Sequence, residues 1–187
     1  YIRIGKGIEI GFNEIGVDVP EAYELISSGD TDAVFQLEQG GMKKFMKELQ
    51  PSCLEDLIAG ISLYRPGPMD SIDSFIARKH GREATVYKVP ELKEILDVTY
   101  GCIVYQEQVM QIFRSLAGYS FGRADIVRRA MAKKKKDVME REREYFLYGK
   151  KDEKGNSECI GAVNNGVTLE AAQAIYDDMA DFAQYAF

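Results

Sequence analysis

The sequence predicts a mainly α, irregular multi-helix domain with short β segments and long loops. Three observations carry this. Apolar residues recur at helical spacing in most segments, capping signals open several of those segments, and Gly or Pro closes them. Asp18-Val-Pro-Glu21 reads as a capping-box start with Pro inside the first turn, and Gly29 as its stop. Phe35-Gln-Leu-Glu38 reads as a short extended piece before Gly40-Gly41. A helix is expected from there to about Leu49, ended by Pro51. Ser52-Cys-Leu-Glu55 reads as a second capping box, opening a helix with an apolar stripe of Leu54, Leu57, Ile58 and Ile61.

Tyr64-Arg65-Pro66-Gly67-Pro68-Met69 can be neither helix nor central strand, because two prolines fix φ and remove amide donors. Short helices are expected over 71–80 and 91–98, and a longer one over about 106–117 with Val109, Ile112, Phe113 and Leu116 inward. Arg123 to Lys136 reads as one helix with Ile126, Val127, Ala130 and Met131 buried, and Asp137-Val-Met-Glu140 as a restart. Residues 150–168 are polar and rich in Gly and Asn, the profile of a mobile surface loop. A last helix is expected from near Thr168, burying Ala172, Ile175, Tyr176, Met179 and Phe182. In domain terms, residues 1–19 read as a linker or irregular segment and 20–187 as one domain.

Composition narrows the function. No run of about 18 apolar residues is present, so no membrane partner is expected. The chain opens on Tyr1 without an initiator Met or a signal-peptide stretch, as an excised piece of a longer protein would. Cys53, Cys102 and Cys159, with the single His80, lack zinc spacing; reduced thiols in a cytoplasmic protein are expected. The net charge of −6 hides an asymmetry. Residues 123–151 carry eleven Lys/Arg against five Asp/Glu, a local balance of +6 that leaves −12 for the remainder. Such a basic stripe on an acidic body is an electrostatic footprint for phosphate.

On one continuous helix, Arg129, Lys133 and Lys136 would form an exposed line flanked by Arg128 and Lys135, all opposite the apolar side. Three readings stay open for that run: a solvated face, a triphosphate site or a nucleic-acid backbone site. Arg65 sits beside the rigid Pro-Gly-Pro turn, which is a structural loop or a cationic wall of a site. Tyr105-Gln106-Glu107-Gln108 offers base contacts or a capped helix start. Arg78-Lys79-His80-Gly81 offers phosphate contacts or a C-cap. No Asp-x-Asp on a strand, Walker loop, GxSxG or catalytic Cys/His pairing occurs, so no catalytic or metal-binding residue is expected, nor activity from the piece alone.

Taken together, several segments resemble the alpha subunit of bacterial DNA polymerase III, the C-family replicative polymerase. They are Gly29-Asp-Thr-Asp-Ala-Val-Phe-Gln-Leu-Glu38, Tyr64–Met69, Phe75-Ile-Ala-Arg-Lys-His-Gly81, Tyr100–Gln111, Ala124–Lys135 and Phe182–Phe187, in the family's order. The resemblance covers roughly residues 20–187 and implies the fingers region of the version carrying an N-terminal polymerase-and-histidinol-phosphatase domain. It implies that Arg128, Arg129, Lys133 and Arg65 face the incoming deoxynucleoside triphosphate. It further implies Lys134, Lys135, Lys136, Arg78 and Lys79 toward primer-template DNA. Magnesium would sit on palm aspartates that precede this segment, the fragment itself holding no cofactor. The partners would be the rest of the subunit and a replisome clamp. Two departures from the family pattern are Ala186, where Gly is common, and an apparent insertion at 150–159. The alternative is a self-contained helical nucleic-acid-binding or interaction module without catalysis; an Asp-x-Asp strand upstream would decide for the polymerase.

Overall fold

The structure, a computed structural model, describes residues 5–7, 9, 11, 16–66, 68–133 and 136–185, of which 132, 136, 184 and 185 by backbone alone. It divides into two compact units, Tyr1–Ile61 and Ser62–Phe187. The described elements are α1 (Pro20–Ser28), α2 (Gly40–Leu49), α3 (Leu54–Leu63), α4 (Ile72–Lys79), α5 (Leu92–Leu96), α6 (Gln106–Ala117), α7 (Phe121–Ala132), α8 (Lys136–Tyr148), β1 (Lys150–Lys151), β2 (Ser157–Cys159) and α9 (Leu169–Tyr185). Short 3₁₀ turns at Pro68–Ser71 and Asp97–Thr99 precede α4 and follow α5. The mainly α expectation holds. No described helix is long and apolar enough to cross a membrane.

In the first unit, Pro20 at the first helical position sets the start of α1, without a side-chain cap, and Gly29 closes it in the left-handed conformation. Residues 32–37 form turns rather than the expected extended piece. Ala33 and Gln36 both have positive φ, and the buried Thr31 hydroxyl fixes the turn by donating to the Leu37 carbonyl at 2.6 Å. The helix at 54–63 forms, but its buried face is Asp56, Ala59 and Leu63; of the expected stripe, Leu54 and Ile58 are exposed and Leu57 and Ile61 half-buried. Gly60 explains the rotation. A Cβ there would lie 2.8 Å from both Leu49 Cδ2 and Met46 Cε, so the small side of α3 is the one that reaches α2. The start of α3 is tied through Asp56 rather than through the expected Glu55: the Asp56 carboxylate accepts from the Ser52 amide and hydroxyl at 2.8 and 3.0 Å.

The second unit is built around α6. Val109, Ile112, Phe113 and Leu116 are fully buried, as the periodicity predicts. Phe113 is the hub, with ring centroids 5.0 Å from Tyr119, 5.2 Å from Phe146 and 6.2 Å from Tyr176. α9 buries Ala172, Ile175, Tyr176, Met179 and Phe182 against the same core.

Residues 150–165, expected as a mobile loop, are organised. β1 and β2 pair antiparallel, Lys150 opposite Cys159, and the Asp152 carboxylate closes their turn on the Lys154 and Asn156 amides. Beyond the hairpin the backbone caps two helix ends. Ile160 and Gly161 amides donate to the Ala117 carbonyl, and those of Ala162 and Val163 to Phe146 and Leu147. The last carbonyls of α6 and α8 therefore find donors in this segment, the ordinary need of a buried helix end. Gly149 and Gly161 (φ +85° and +87°) allow the crossing: a Cβ on Gly149 would lie 2.3 Å from the Ile160 oxygen.

Candidate phosphate-binding site

The site grows from the start of α6. Gln108, buried in the first turn, accepts from the Val104 and Tyr105 amides at 2.8 and 2.9 Å. It donates to Thr99 Oγ1 at 2.8 Å and to the Ile95 carbonyl at 3.3 Å. Both amide atoms are thus saturated, which fixes the entry into the helix and assigns Gln108 a structural role. Gln106, two residues earlier, projects its Oε1 to Arg128 Nη1 at 2.5 Å.

Arg128 and Arg129 lie on α7, whose N-cap is Ser120 and whose buried face is Ala124, Val127 and Met131. The expected register needs one correction. Ile126 is 68 % exposed, not buried, because successive buried positions follow 124, 127 and 131. Arg128 is consequently not opposite the core: its side chain is only 17 % exposed, against 67 % for Arg129. Asp125 meets both. Arg128 donates from Nε and Nη2 to Asp125 Oδ1 at 3.1 and 2.7 Å, and Arg129 Nη2 lies 2.7 Å from Asp125 Oδ2. Hydrogen bonding from Arg128, opposed by partial desolvation and assisted by Arg129, holds the Asp125 carboxyl below its ordinary range.

The other expected cations distribute differently. α7 ends at Ala132, with Lys133 exposed at its C-cap, and Lys136 opens a separate helix, so one continuous line of Arg129, Lys133 and Lys136 does not exist. Lys134, Lys135 and the Lys136 side chain lie outside the described residues, as does Ala186. Arg65 is exposed at the turn after α3, its backbone amide donating to the Leu63 carbonyl at 2.7 Å. Arg78 is committed internally: it pairs with Glu83 at 2.7 Å and donates to the Tyr100 carbonyl at 3.2 Å. Lys79 is half-buried in the last turn of α4. The structure therefore gathers Arg128, Arg129, Asp125 and Gln106, and leaves Arg78 as a strut beneath the Tyr100–Cys102 turn.

Beside this cluster lies a second that the sequence reading did not single out. Arg123 is 16 % exposed and donates from Nη2 to both oxygens of Glu142 at 3.1 Å. Its Nη1 pairs with Glu158, and its guanidinium lies 4.9 Å over the Tyr119 ring and 5.4 Å over Tyr145. Three of the chain's acids outside the basic run or deep within it are thus consumed by its cations: Glu142 and Glu158 by Arg123, and Asp177 by Arg143 at 2.7 Å. The local excess of +6 is smaller in space than in sequence. Asp125 was missed as well, although its spacing three and four residues before two arginines could have found it; Arg123's partners, 19 and 35 residues away, had no local signal.

Chemically, the site is a pair of guanidiniums on one helix, one held from two elements and one largely in solvent, arranged on a mainly helical domain. That leaves a mainly helical module with two neighbouring guanidiniums on one helix. Comparison with known proteins gives its family. A family model described as the bacterial DNA polymerase III alpha subunit finger domain matches residues 1–154, beginning upstream of the segments that carry the sequence resemblance. The DNA polymerase III subunit alpha of Thermus aquaticus is 44 % identical over the whole of this chain and 15 % of its own length. That of Pasteurella multocida is 49 % identical over 92 % of the chain and 14 % of its own length, and that of Bacillus subtilis 43 % identical over 97 % and 15 %. The chain belongs to the finger-domain family of the bacterial DNA polymerase III alpha subunit. It spans about 15 % of the length of the curated relatives it matches.

Proposed function

We propose that the chain grips the incoming deoxynucleoside triphosphate within a template-directed DNA polymerase, with Arg128 and Arg129 facing the phosphates. The observation that carries the reading is the joint placement of the two arginines, one rigid and 17 % exposed, one adjacent and 67 % exposed, over the ordered start of α6. Arginine's planar fork matches phosphate oxygens, and phosphoryl transfer depends on positioning and charge neutralisation more than on covalent participation. Lys133 extends the positive surface toward the same ligand, and Arg65 is the cation proposed for the opposite wall. Lys134, Lys135, Lys136 and Lys79 are proposed for primer-template DNA. Arg78 stays proposed for the same DNA, with its guanidinium braced by Glu83 and the Tyr100 carbonyl.

Among the described residues, no group of three or more His, Cys, Asp or Glu side chains comes together in a way that holds a metal ion. These residues do not fit the magnesium of a two-metal polymerase site, and no step here is routed through it. The contribution of this chain is to bind and orient phosphate, so polymerisation requires the remainder of the subunit. The reading also supports a partnership with that remainder and a clamp.

The test is steady-state nucleotide incorporation by the polymerase subunit carrying this domain, with Arg128→Ala, Arg129→Ala and the corresponding Lys variants. A charge-assisted contact is worth about 1.5–3 kcal/mol, so kcat/KM should fall roughly ten- to more than a hundredfold for each Ala change. Lys should restore only part, because the fork is lost. Unchanged kinetics in both Ala variants would refute the assignment.

A further inference from the structure

We propose that Asp125 is a positioning residue of this grip: its carboxylate holds Arg128 and Arg129 together, each through its own oxygen, in the arrangement that meets phosphate. The proposal rests on the nucleotide reading above and extends it to a residue of opposite charge. Consecutive residues on a helix diverge by about 100°, so two neighbouring guanidiniums would point apart and repel if left alone. Helical side chains lean toward the N-terminus, and Asp125 stands one turn back, three and four residues before the two arginines. Arg128 closes on Oδ1 with two donors at 3.1 and 2.7 Å; Arg129 takes Oδ2 at 2.7 Å.

This is more than an ordinary surface pair. The Asp125 and Arg128 side chains are 24 % and 17 % exposed, and Gln106 from α6 grips Arg128 Nη1 at 2.5 Å, so the guanidinium plane is set from two helices. One carboxylate between two guanidiniums leaves the trio with a net charge of +1, still attractive to an anion. The division of labour follows from exposure. Arg128 is the fixed donor, and Arg129 is the donor able to exchange the carboxylate for a ligand phosphate. Asp125 accepts from both arginines, and Asn keeps one acceptor oxygen without the charge, so Asn is the informative replacement.

The experiment is a double-mutant cycle in the polymerase subunit carrying this domain, with Asp125→Ala, Asp125→Asn, Arg128→Ala and Asp125→Ala/Arg128→Ala. It reads kcat and KM for one deoxynucleoside triphosphate, alongside the melting temperature. Asp125→Ala should raise KM about tenfold while kcat moves less than about threefold. The double variant should lose less than the product of the two single losses, because only Arg129 is left for Asp125 to position. Asp125→Asn should recover only part of the KM, since its Oδ1 still accepts from Arg128 while its Nδ2 cannot accept from Arg129. An unchanged KM in Asp125→Ala, losses that multiply in the double variant, or an Asn variant no better than Ala would each overturn the proposal. If Arg128→Ala instead weakens primer-template affinity and spares KM, the nucleotide reading fails on its own. The same cycle scored on DNA affinity then decides Asp125: non-multiplicative losses sustain it and multiplicative losses overturn it.

Discussion

Removing the guanidinium of Arg123 should destabilise the second unit more than removing any other cation of the basic run. Arg123 and Glu142 are 16 % and 14 % exposed, and the pair ties the start of α7 to α8. Glu158 of β2 joins through Nη1, and two tyrosine rings flank the guanidinium. Arg123→Ala leaves Glu142 in a desolvated position where, among the described residues, the Tyr119 hydroxyl at 3.0 Å is the remaining side-chain donor. Breaking such a pair from one side costs about 3 kcal/mol, the lower end of the usual range because Lys150 still serves Glu158 at 2.8 Å. On a unit of this size that corresponds to a fall of roughly 10–15 °C in Tm. Arg123→Lys should recover only part, since one ammonium cannot span Glu142, Glu158 and the rings. Replacing both partners, Arg123→Met with Glu142→Leu, should be far milder than the single change, because no orphaned charge remains. Thermal and urea unfolding of these variants is the assay. A Tm drop below about 2 °C in Arg123→Ala, or a double variant as unstable as the two singles combined, would refute the reasoning.

Other consequences are equally open to measurement. Ile126→Ala should change stability by less than about 0.5 kcal/mol and Val127→Ala by about 2 kcal/mol, since the former is 68 % and the latter 2 % exposed; denaturant unfolding reads both. Amides of Ile160, Gly161, Ala162 and Val163 should exchange with solvent far more slowly than those of the hairpin turn at 153–155, as each donates to a helix-end carbonyl. The Glu158 carboxyl is held below its ordinary range chiefly by hydrogen bonding from Lys150, against partial desolvation and with help from Arg123. Its contribution is full above about pH 5 and is lost as pH falls through the lowered value, so Glu158→Gln should flatten the acid limb of a stability–pH curve and leave the alkaline limb alone.

What the sequence disclosed and what it concealed divide along physical lines. The α6 stripe was legible because a two-sided environment needs a clean 3.6-residue period, and Val109 to Leu116 supply it. The register of α3 was hidden because Gly60 counts as neither apolar nor polar in a periodicity argument, yet its lack of a Cβ decides which face approaches α2. Residues 160–165 looked mobile because their donors serve carbonyls of α6 and α8, a relation with no signature in local composition. In the candidate site, Arg128 and Arg129 stood out by charge density, whereas Asp125 was passed over although it stands three and four residues before them. The end of α7 at Ala132, which separates Lys136 from Arg129, was masked by an unbroken run of good helix formers. The internal partners of Arg78, Glu83 and the Tyr100 carbonyl, were hidden for a related reason, since such contacts form only when the turn folds.

The central claim is that Arg128 and Arg129 hold the triphosphate rather than the DNA track. Its most direct test is equilibrium binding of the correct deoxynucleoside triphosphate to the polymerase subunit on a primer-template ended by a dideoxynucleotide. Arg128→Ala and Arg129→Ala should each weaken nucleotide binding roughly ten- to a hundredfold and leave primer-template affinity within about twofold. Unchanged nucleotide affinity, with primer-template binding weakened and its salt dependence flattened, would place both arginines on the nucleic-acid backbone and contradict the account.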